Sequence, residues 1–230
     1  MSMVAWYKMN GDATDASGNG EDGTATDMTY VAGKVGQAGS FNGSTSRIVS
    51  GNGSSLSFTN EIFTFALWFQ TSSATDQYFL YKGVANREYN FGITSLGGVI
   101  GRIFDRGFSH LHDDVNSAGT YKDGAWHHGA FVGNGSQLVL YIDGVAETPV
   151  NITSAMGDYD QDLQIGRYGG GSVYFNGLID DVRIYDEALN AQSVELIYAD
   201  GVGTETAWPK WPIKGMTKAG KSSLLGVVAQ

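Results

Sequence analysis

The sequence predicts an all-β domain, two antiparallel sheets packed as a sandwich, with one short C-terminal helix and an extended tail. Three observations predict it. The 230 residues include 33 glycines, three prolines and 12 % aromatics, a length and composition that suit a single sandwich. Short apolar runs recur between clusters of Gly, Asn and Asp, the pattern of strands separated by turns. The third observation is the segment Asn176 to Tyr198, NGLIDDVRIYDEALNAQSVELIY, which reads as a strand running into a capped helix.

In that segment Leu178, Val182 and Ile184 alternate with Ile179, Arg183 and Tyr185, the period of a strand whose two faces see different surroundings. Asp180 and Asp181 are then expected on opposite faces. Asn190 is a good N-cap, Leu189 and Val194 occupy the positions of a hydrophobic staple, and Val194, Ile197 and Tyr198 form an apolar stripe ending near Gly201. A short helix packed back onto the sheet follows from this.

Along the chain, strands are expected near residues 3–9, 29–32, 38–42, 45–49, 55–58, 62–71, 77–82, 89–94, 98–104, 126–133, 137–143, 163–166 and 177–185. Asn134-Gly135 and Asp143-Gly144 are turn dipeptides that favour positive φ, and the first joins two apolar strands as a hairpin. Cysteine is absent, so packing and hydrogen bonds, with or without a metal, must stabilise the sandwich.

Several segments together resemble the laminin G-like, concanavalin A-like jelly-roll domains. They are VAWYKMNGDATDASGNGEDGT at 4–24, GKVGQAGSFNG at 33–43, FTFALWF at 63–69, DGAWHHGAFV at 123–132, LVLYIDG at 138–144, LQIGR at 163–167 and the segment from Asn176. The resemblance covers roughly residues 4–200 and implies a jelly-roll β-sandwich for residues 1–205. It also implies a structural calcium ion held between the opening loop and the late strand by Asp15, Asn19 and Asp180. From the residues alone, Asp12, Asp15, Asn19, Glu21 and Asp22 concentrate oxygen ligands suited to a hard cation in one Gly-rich loop. The alternative is ordinary turn residues on an acidic surface. Asp158, Asp160 and Asp162 resemble half of a calcium loop but depart from the EF-hand pattern at Leu163 and Gly169, so a surface turn is expected there.

Charge is divided unevenly. The chain carries −10 overall, but residues 206–230 hold four lysines and no acid, which leaves −14 on residues 1–205. An acidic body argues against nucleic-acid binding, and no apolar run is long enough for membrane insertion. The tail, TAWPKWPIKGMTKAGKSSLLGVVAQ, is kept extended by its prolines. Trp208, Lys210, Trp211 and Lys214 mark it as a segment for docking into a larger assembly; the alternative is an incidental terminus. Gly215, Gly220, Lys221 and Ser222 match the spacing of a phosphate-binding loop, but the buried parallel strand and following helix that such a loop needs are missing. No secretory signal precedes the first strand. Either the chain is a trimmed piece, or it is released by another route, as a virion component would be; a virion or an extracellular surface is the expected location.

Catalysis finds little support. No strand carries the paired carboxylates that glycoside hydrolysis requires, and His127 and His128 read as scaffold histidines rather than zinc ligands or bases. Recognition remains. Trp68 and Gln70 lie on the more polar face of their strand, opposite Phe63, Phe65, Leu67 and Phe69, and Trp68 is a candidate platform for a sugar. Rim candidates are Arg87, Tyr89, Arg102, Asp105, Arg106, His110, His112 and the glycine-rich loop beginning at Tyr168. The expectation is a non-catalytic recognition or display module, attached through its tail to an assembly such as a phage capsid or tail and exposing a surface for host glycans. A free lectin-like domain is the alternative, and a glycoside hydrolase a remoter one.

Overall fold

The computed structural model describes residues 3–83, 87–105 and 112–200. The chain opens with β1 (Met3–Tyr7), β2 (Thr24–Thr26), β3 (Thr29–Ala32), β4 (Gln37–Asn42) and β5 (Arg47–Val49). After a 3-10 turn at Ser54–Leu56 come β6 (Ile62–Gln70), β7 (Gln77–Gly83), β8 (Arg87–Ile93), β9 (Val99–Phe104) and β10 (His112–Asn116). The second half holds β11 (Trp126–Asn134), β12 (Gln137–Ile142), β13 (Val145–Ala146), β14 (Val150–Asn151), β15 (Leu163–Ile165), β16 (Asn176–Tyr185) and helix α1 (Ala191–Asp200).

All pairings are antiparallel. One sheet has the order β13-β12-β11-β6-β16-β4-β3, with β1 added to β16 and β14 to β12; the other has the order β10-β9-β8-β7-β15-β5-β2. Alternation along β6 sends Phe63, Phe65, Leu67 and Phe69 into the space between the sheets, where they join Phe58, Phe79, Tyr89, Phe91, Phe131 and Phe175. Phe63 stacks on Phe65 at 4.6 Å, and Phe131 meets Phe63 edge-on at 5.0 Å. Gly101 is required opposite this cluster, because a Cβ there would sit 2.5 Å from the Phe131 ring.

Helix α1 packs on the outer side of the nine-stranded sheet. Its Val194 and Ile197, with Leu189, bury against Ala66, Ala130, Val132, Tyr141 and Tyr185; the two small alanines let the helix approach closely. Asn190 caps it as expected, its Oδ1 accepting the Ser193 amide at 2.9 Å. The seven-stranded sheet receives no helix among the described residues, so its outer face is left to loops and solvent.

Three local expectations are corrected. Residues 54–56 form a 3-10 turn rather than part of a strand, with Leu56 buried and its carbonyl accepting the Tyr89 hydroxyl at 3.0 Å. His112 opens a strand whose HDDVN sequence disguises it; pairing with β9 overrides the poor strand propensity of two aspartates. Asp180 and Asp181 do not point to opposite faces. A β-bulge shifts the register between Asp180 and Arg183, and Asp181 takes φ = 50°. Asp180 pairs with Trp68, while Asp181 bonds Trp6 and Arg183, themselves cross-strand partners. Both carboxylates therefore serve the helix-bearing face.

Candidate functional site

Three of the strands in the seven-stranded sheet carry one polar residue between two apolar ones: Leu163-Gln164-Ile165, Tyr89-Asn90-Phe91 and Gly101-Arg102-Ile103. The flanking residues of the first two point into the core, and the polar ones emerge on the outer face. Register aligns them: Gln164 pairs with Tyr81, Tyr81 with Asn90, Asn90 with Arg102 and Arg102 with Asp114. One row of polar and aromatic side chains thus crosses five strands, β15, β7, β8, β9 and β10.

The hairpin Arg167–Tyr174 places Tyr168 over this row. Its base is an antiparallel bridge between Arg167 and Tyr174, and the Tyr168 amide donates to the Val173 carbonyl at 2.9 Å. Gly169 lets it lie against β7, since a Cβ there would fall 1.8 Å from the Gly83 carbonyl oxygen. The glycine-rich sequence is thus a hydrogen-bonded hairpin docked on the sheet.

Tyr168 meets Tyr81 edge-on at 4.7 Å and Tyr78 at 5.7 Å, and Tyr78 meets Tyr81 at 5.1 Å. Arg87 Nη2 donates to the Tyr168 hydroxyl at 3.2 Å, with its guanidinium 5.5 Å from the Phe104 ring centre and 5.9 Å from that of Tyr168. Burial holds the phenols of Tyr78 and Tyr81 protonated well above their usual range, against the pull of nearby arginines. Beneath, Asn90 is 2 % and Gln164 8 % exposed, and neither Asn90 Oδ1 nor Gln164 Oε1 accepts a hydrogen bond. An enclosed acceptor left unpaired costs about 1–3 kcal/mol. The face therefore combines the half-buried rings of Tyr78 and Tyr168, packed over the buried Tyr81, with two guanidinium groups, the groups that stack on sugar C–H surfaces and bond hydroxyls, above two unpaired amide oxygens. Asp114, 3.7 Å from Arg102 Nε, is the carboxylate of the row.

Of the anticipated ligand residues, Arg102 and Tyr168 come together here and are joined by the rim candidate Arg87. Arg106 and His110 lie outside the described residues, as do Trp208, Lys210, Trp211 and Lys214 of the tail and the phosphate-loop-like glycines. Trp68 is corrected: it is 2 % exposed on the opposite sheet, packed by Lys34 at 4.5 Å, His128 at 5.2 Å and Tyr198 at 5.5 Å, and cannot offer a platform. Gln70 also belongs to that sheet, donating to the Gly124 carbonyl at 2.6 Å beside a cavity of about 400 Å³. Tyr89 is core. Tyr78, Tyr81, Asn90 and Gln164 were not anticipated. The signal was present in the lone amides of strands 89–91 and 163–165, but their shared register was not.

Each of the expected calcium ligands meets hydrogen-bond partners of its own. Asp15 Oδ1 accepts the amides of Trp6 and Ser17, both at 2.9 Å, and its Oδ2 accepts the Ser17 hydroxyl at 2.8 Å and the Glu21 amide at 3.2 Å. Burial alone would raise its pKa, but these donors bring it below the usual carboxylate range. Asn19 turns its amide nitrogen to the Met3 and Val4 carbonyls, at 2.7 and 3.0 Å, beside a cleft of about 530 Å³. Asp180 Oδ2 accepts the amides of Lys34 and Val35, both at 2.8 Å. No cluster of three or more His, Asp or Glu side chains that could hold a metal occurs among the described residues. Donors fill Asp15, whereas Asp180 Oδ1 is buried and meets no hydrogen-bond donor among the described residues. Asp158, Asp160 and Asp162 are exposed, and Asp160 accepts the Asn52 side-chain amide.

The histidines are scaffold residues. His127 lies between Asp143 at 2.8 Å and Asp123 at 3.1 Å. His128 is fully buried, and burial, with Arg183 adding to it, pushes its pKa down to about 3.

An antiparallel sandwich of this topology, with a helix packed outside the nine-stranded sheet, defines a jelly-roll domain. The family model described as Concanavalin A-like lectin/glucanases superfamily, of the laminin G group, matches residues 42–195, and the chain belongs to that family. Domain 4 of AbnA, a GH43 extracellular arabinanase from Geobacillus stearothermophilus solved in complex with arabinotriose, is similar with a TM-score of 0.72 and 24 % identity, covering 86 % of this chain and 98 % of that one. The binding domain of Paraclostridial Mosquitocidal Protein 1 has a TM-score of 0.72 at 20 % identity, covering 86 % of this chain and 52 % of that one. The binding domain of Botulinum neurotoxin DC, solved in complex with rat synaptotagmin II, has a TM-score of 0.71 at 12 % identity, covering 87 % and 52 %. Adhesion G-protein coupled receptor V1 of Danio rerio is 24 % identical over 189 residues, which are 78 % of this chain and 3 % of the receptor. The chain thus spans a small fraction of that relative. No helix among the described residues is long and apolar enough to cross a membrane.

Proposed function

We propose that this chain is a non-catalytic recognition domain that binds an oligosaccharide on the outer face of its seven-stranded sheet. The observation that carries the reading is the row Gln164–Tyr81–Asn90–Arg102 beneath Tyr168, in which aromatic rings stand beside two enclosed amide oxygens without donors. Sugars offer C–H surfaces to the half-buried Tyr78 and Tyr168 rings and hydroxyl groups to Arg87 and Arg102, and the enclosed amides gain donors only where the Tyr168 hairpin yields to the ligand. Hydrolysis by a paired-carboxylate mechanism has no basis there, since the row brings one carboxylate, Asp114, where two are needed. A domain similar in fold, from an extracellular arabinanase, was solved with arabinotriose, which supports the ligand class and suits an extracellular surface.

The test is a carbohydrate array probed with the chain and with Tyr168→Ala. Specific binding that Tyr168→Ala weakens about tenfold supports the proposal, whereas binding indifferent to Tyr168, or binding of a protein receptor alone, overturns it.

Attachment to a larger assembly belongs to the same proposal. Its support is the charge division between residues 1–205 at −14 and a tail with four lysines and no acid. Removal of residues 206–230 should abolish co-isolation with a large particle while glycan binding persists; co-isolation unchanged by truncation would exclude docking through the tail.

A further inference from the structure

We infer that the ligand of the seven-stranded face carries a carboxylate, as an acidic sugar does, and that Arg87 is its anchor; this rests on the reading of the face as glycan-binding. Arg87 is the observation behind it. Its hydrogen bond among the described residues is the one Nη2 donates to Tyr168, and Nε is enclosed and bonds nothing. It pairs with no carboxylate among the described residues, although residues 1–205 contain 24 acids and only ten lysines and arginines. The buried cations of the chain follow the opposite rule: Lys82 meets Glu88 at 2.6 Å and Arg183 meets Asp181 at 2.8 Å.

A guanidinium offers five donors in a planar fork that matches a carboxylate with two parallel bonds. Here the fork is held between the Phe104 and Tyr168 rings, so little side-chain freedom remains to be lost on binding. Arg102 lies in the same row, and its Nε is 3.7 Å from Asp114, beyond hydrogen-bond distance. Arg87, with donors unused, stands beside tyrosines and selects a ligand with one negative group and a stacking ring, while Arg102 shares its charge with Asp114. The acidic remainder of the body acts weakly across this distance at physiological salt, where screening extends about 8 Å.

The test uses matched probes, oligogalacturonate against its methyl ester and sialyllactose against lactose, with the full chain, Arg87→Gln and Arg87→Lys. Expected is an acidic member bound about tenfold tighter than its neutral twin, a gap that Arg87→Gln closes and Arg87→Lys restores only in part, at unchanged melting temperature. Equal binding of the twins, or a gap that survives Arg87→Gln, overturns the inference while leaving the face a glycan site. Binding of neither twin in both pairs, together with an array on which no neutral sugar binds either, overturns the reading of the face and the inference with it.

Discussion

Asp180 and His128 stand on either side of Trp68 in one cross-strand row, paired with it from β16 and β11. Burial drives both toward the neutral form. Asp180 is pushed up to about 7, by burial first and by Asp181 next, against the amides of Val35 and Lys34; His128 is pushed down to about 3. The platform expected at Trp68 is thus the middle of a dehydrated structural row under Tyr198 and Lys34.

The row predicts two opposed pH dependences. Between about pH 4 and 7 folded Asp180 keeps a proton that the unfolded carboxylate has lost, so its stabilisation is complete below about 4 and is lost as pH rises through about 7. Unfolded His128 binds a proton below about 6.5 that the folded imidazole refuses until about 3, so its stabilisation is present above 6.5 and is lost as pH falls. Denaturant melts from pH 4 to 6.5 should show stability rising with pH in Asp180→Asn and falling with pH in His128→Phe. Parallel curves for both variants and the parent would contradict this.

Asp15 predicts a loss that calcium does not repair. Asp15→Ala leaves three amides and a hydroxyl without their acceptor, and each buried orphan costs about 1–3 kcal/mol. The variant should melt several degrees lower, by equal amounts in calcium and in EDTA, and the parent should melt at one temperature in both. A calcium-dependent rise in the parent would contradict this and point to a metal held by Asp15, Asn19 and Asp180.

Gly169 tests how Tyr168 is positioned. An alanine methyl would meet the Gly83 carbonyl at 1.8 Å, so the hairpin must lift from β7. Overpacking of this kind costs about 1–3 kcal/mol. Gly169→Ala should lose sugar affinity nearly as Tyr168→Ala does, while Gly18→Ala, strained by its φ of 86° but on the opening loop away from the hairpin, should not; calorimetric titration distinguishes them.

Much of the fold was legible because the signals were local. The Asn190 cap, the Val194–Ile197 stripe and the alternation of β6 each depend on neighbours within a few residues, and all three appear as expected. What the sequence hid were relations across strands. The bulge at Asp181 reverses the inferred facing of one carboxylate, and the cover supplied by Tyr198 and Lys34 hides Trp68. The row of Gln164, Tyr81, Asn90 and Arg102 draws on four strands spread over more than eighty residues, and register of that kind is set by turns and packing rather than by composition. Arg102 and Tyr168 were legible as polar residues of a strand and a glycine-rich loop, and the tyrosines beneath them were not, because β7 reads as a core strand throughout.

The central claim is a place: the ligand lies on the outer face of the seven-stranded sheet. Amide chemical-shift mapping with the tightest array sugar tests it directly. The account predicts that shifts concentrate in Tyr78–Lys82, Tyr89–Phe91, Leu163–Ile165 and the hairpin Arg167–Tyr174, with the side-chain amides of Asn90 and Gln164 among them. Shifts confined to the Gln70 cavity, or to the cleft beside Asn19 and Glu21, would contradict it.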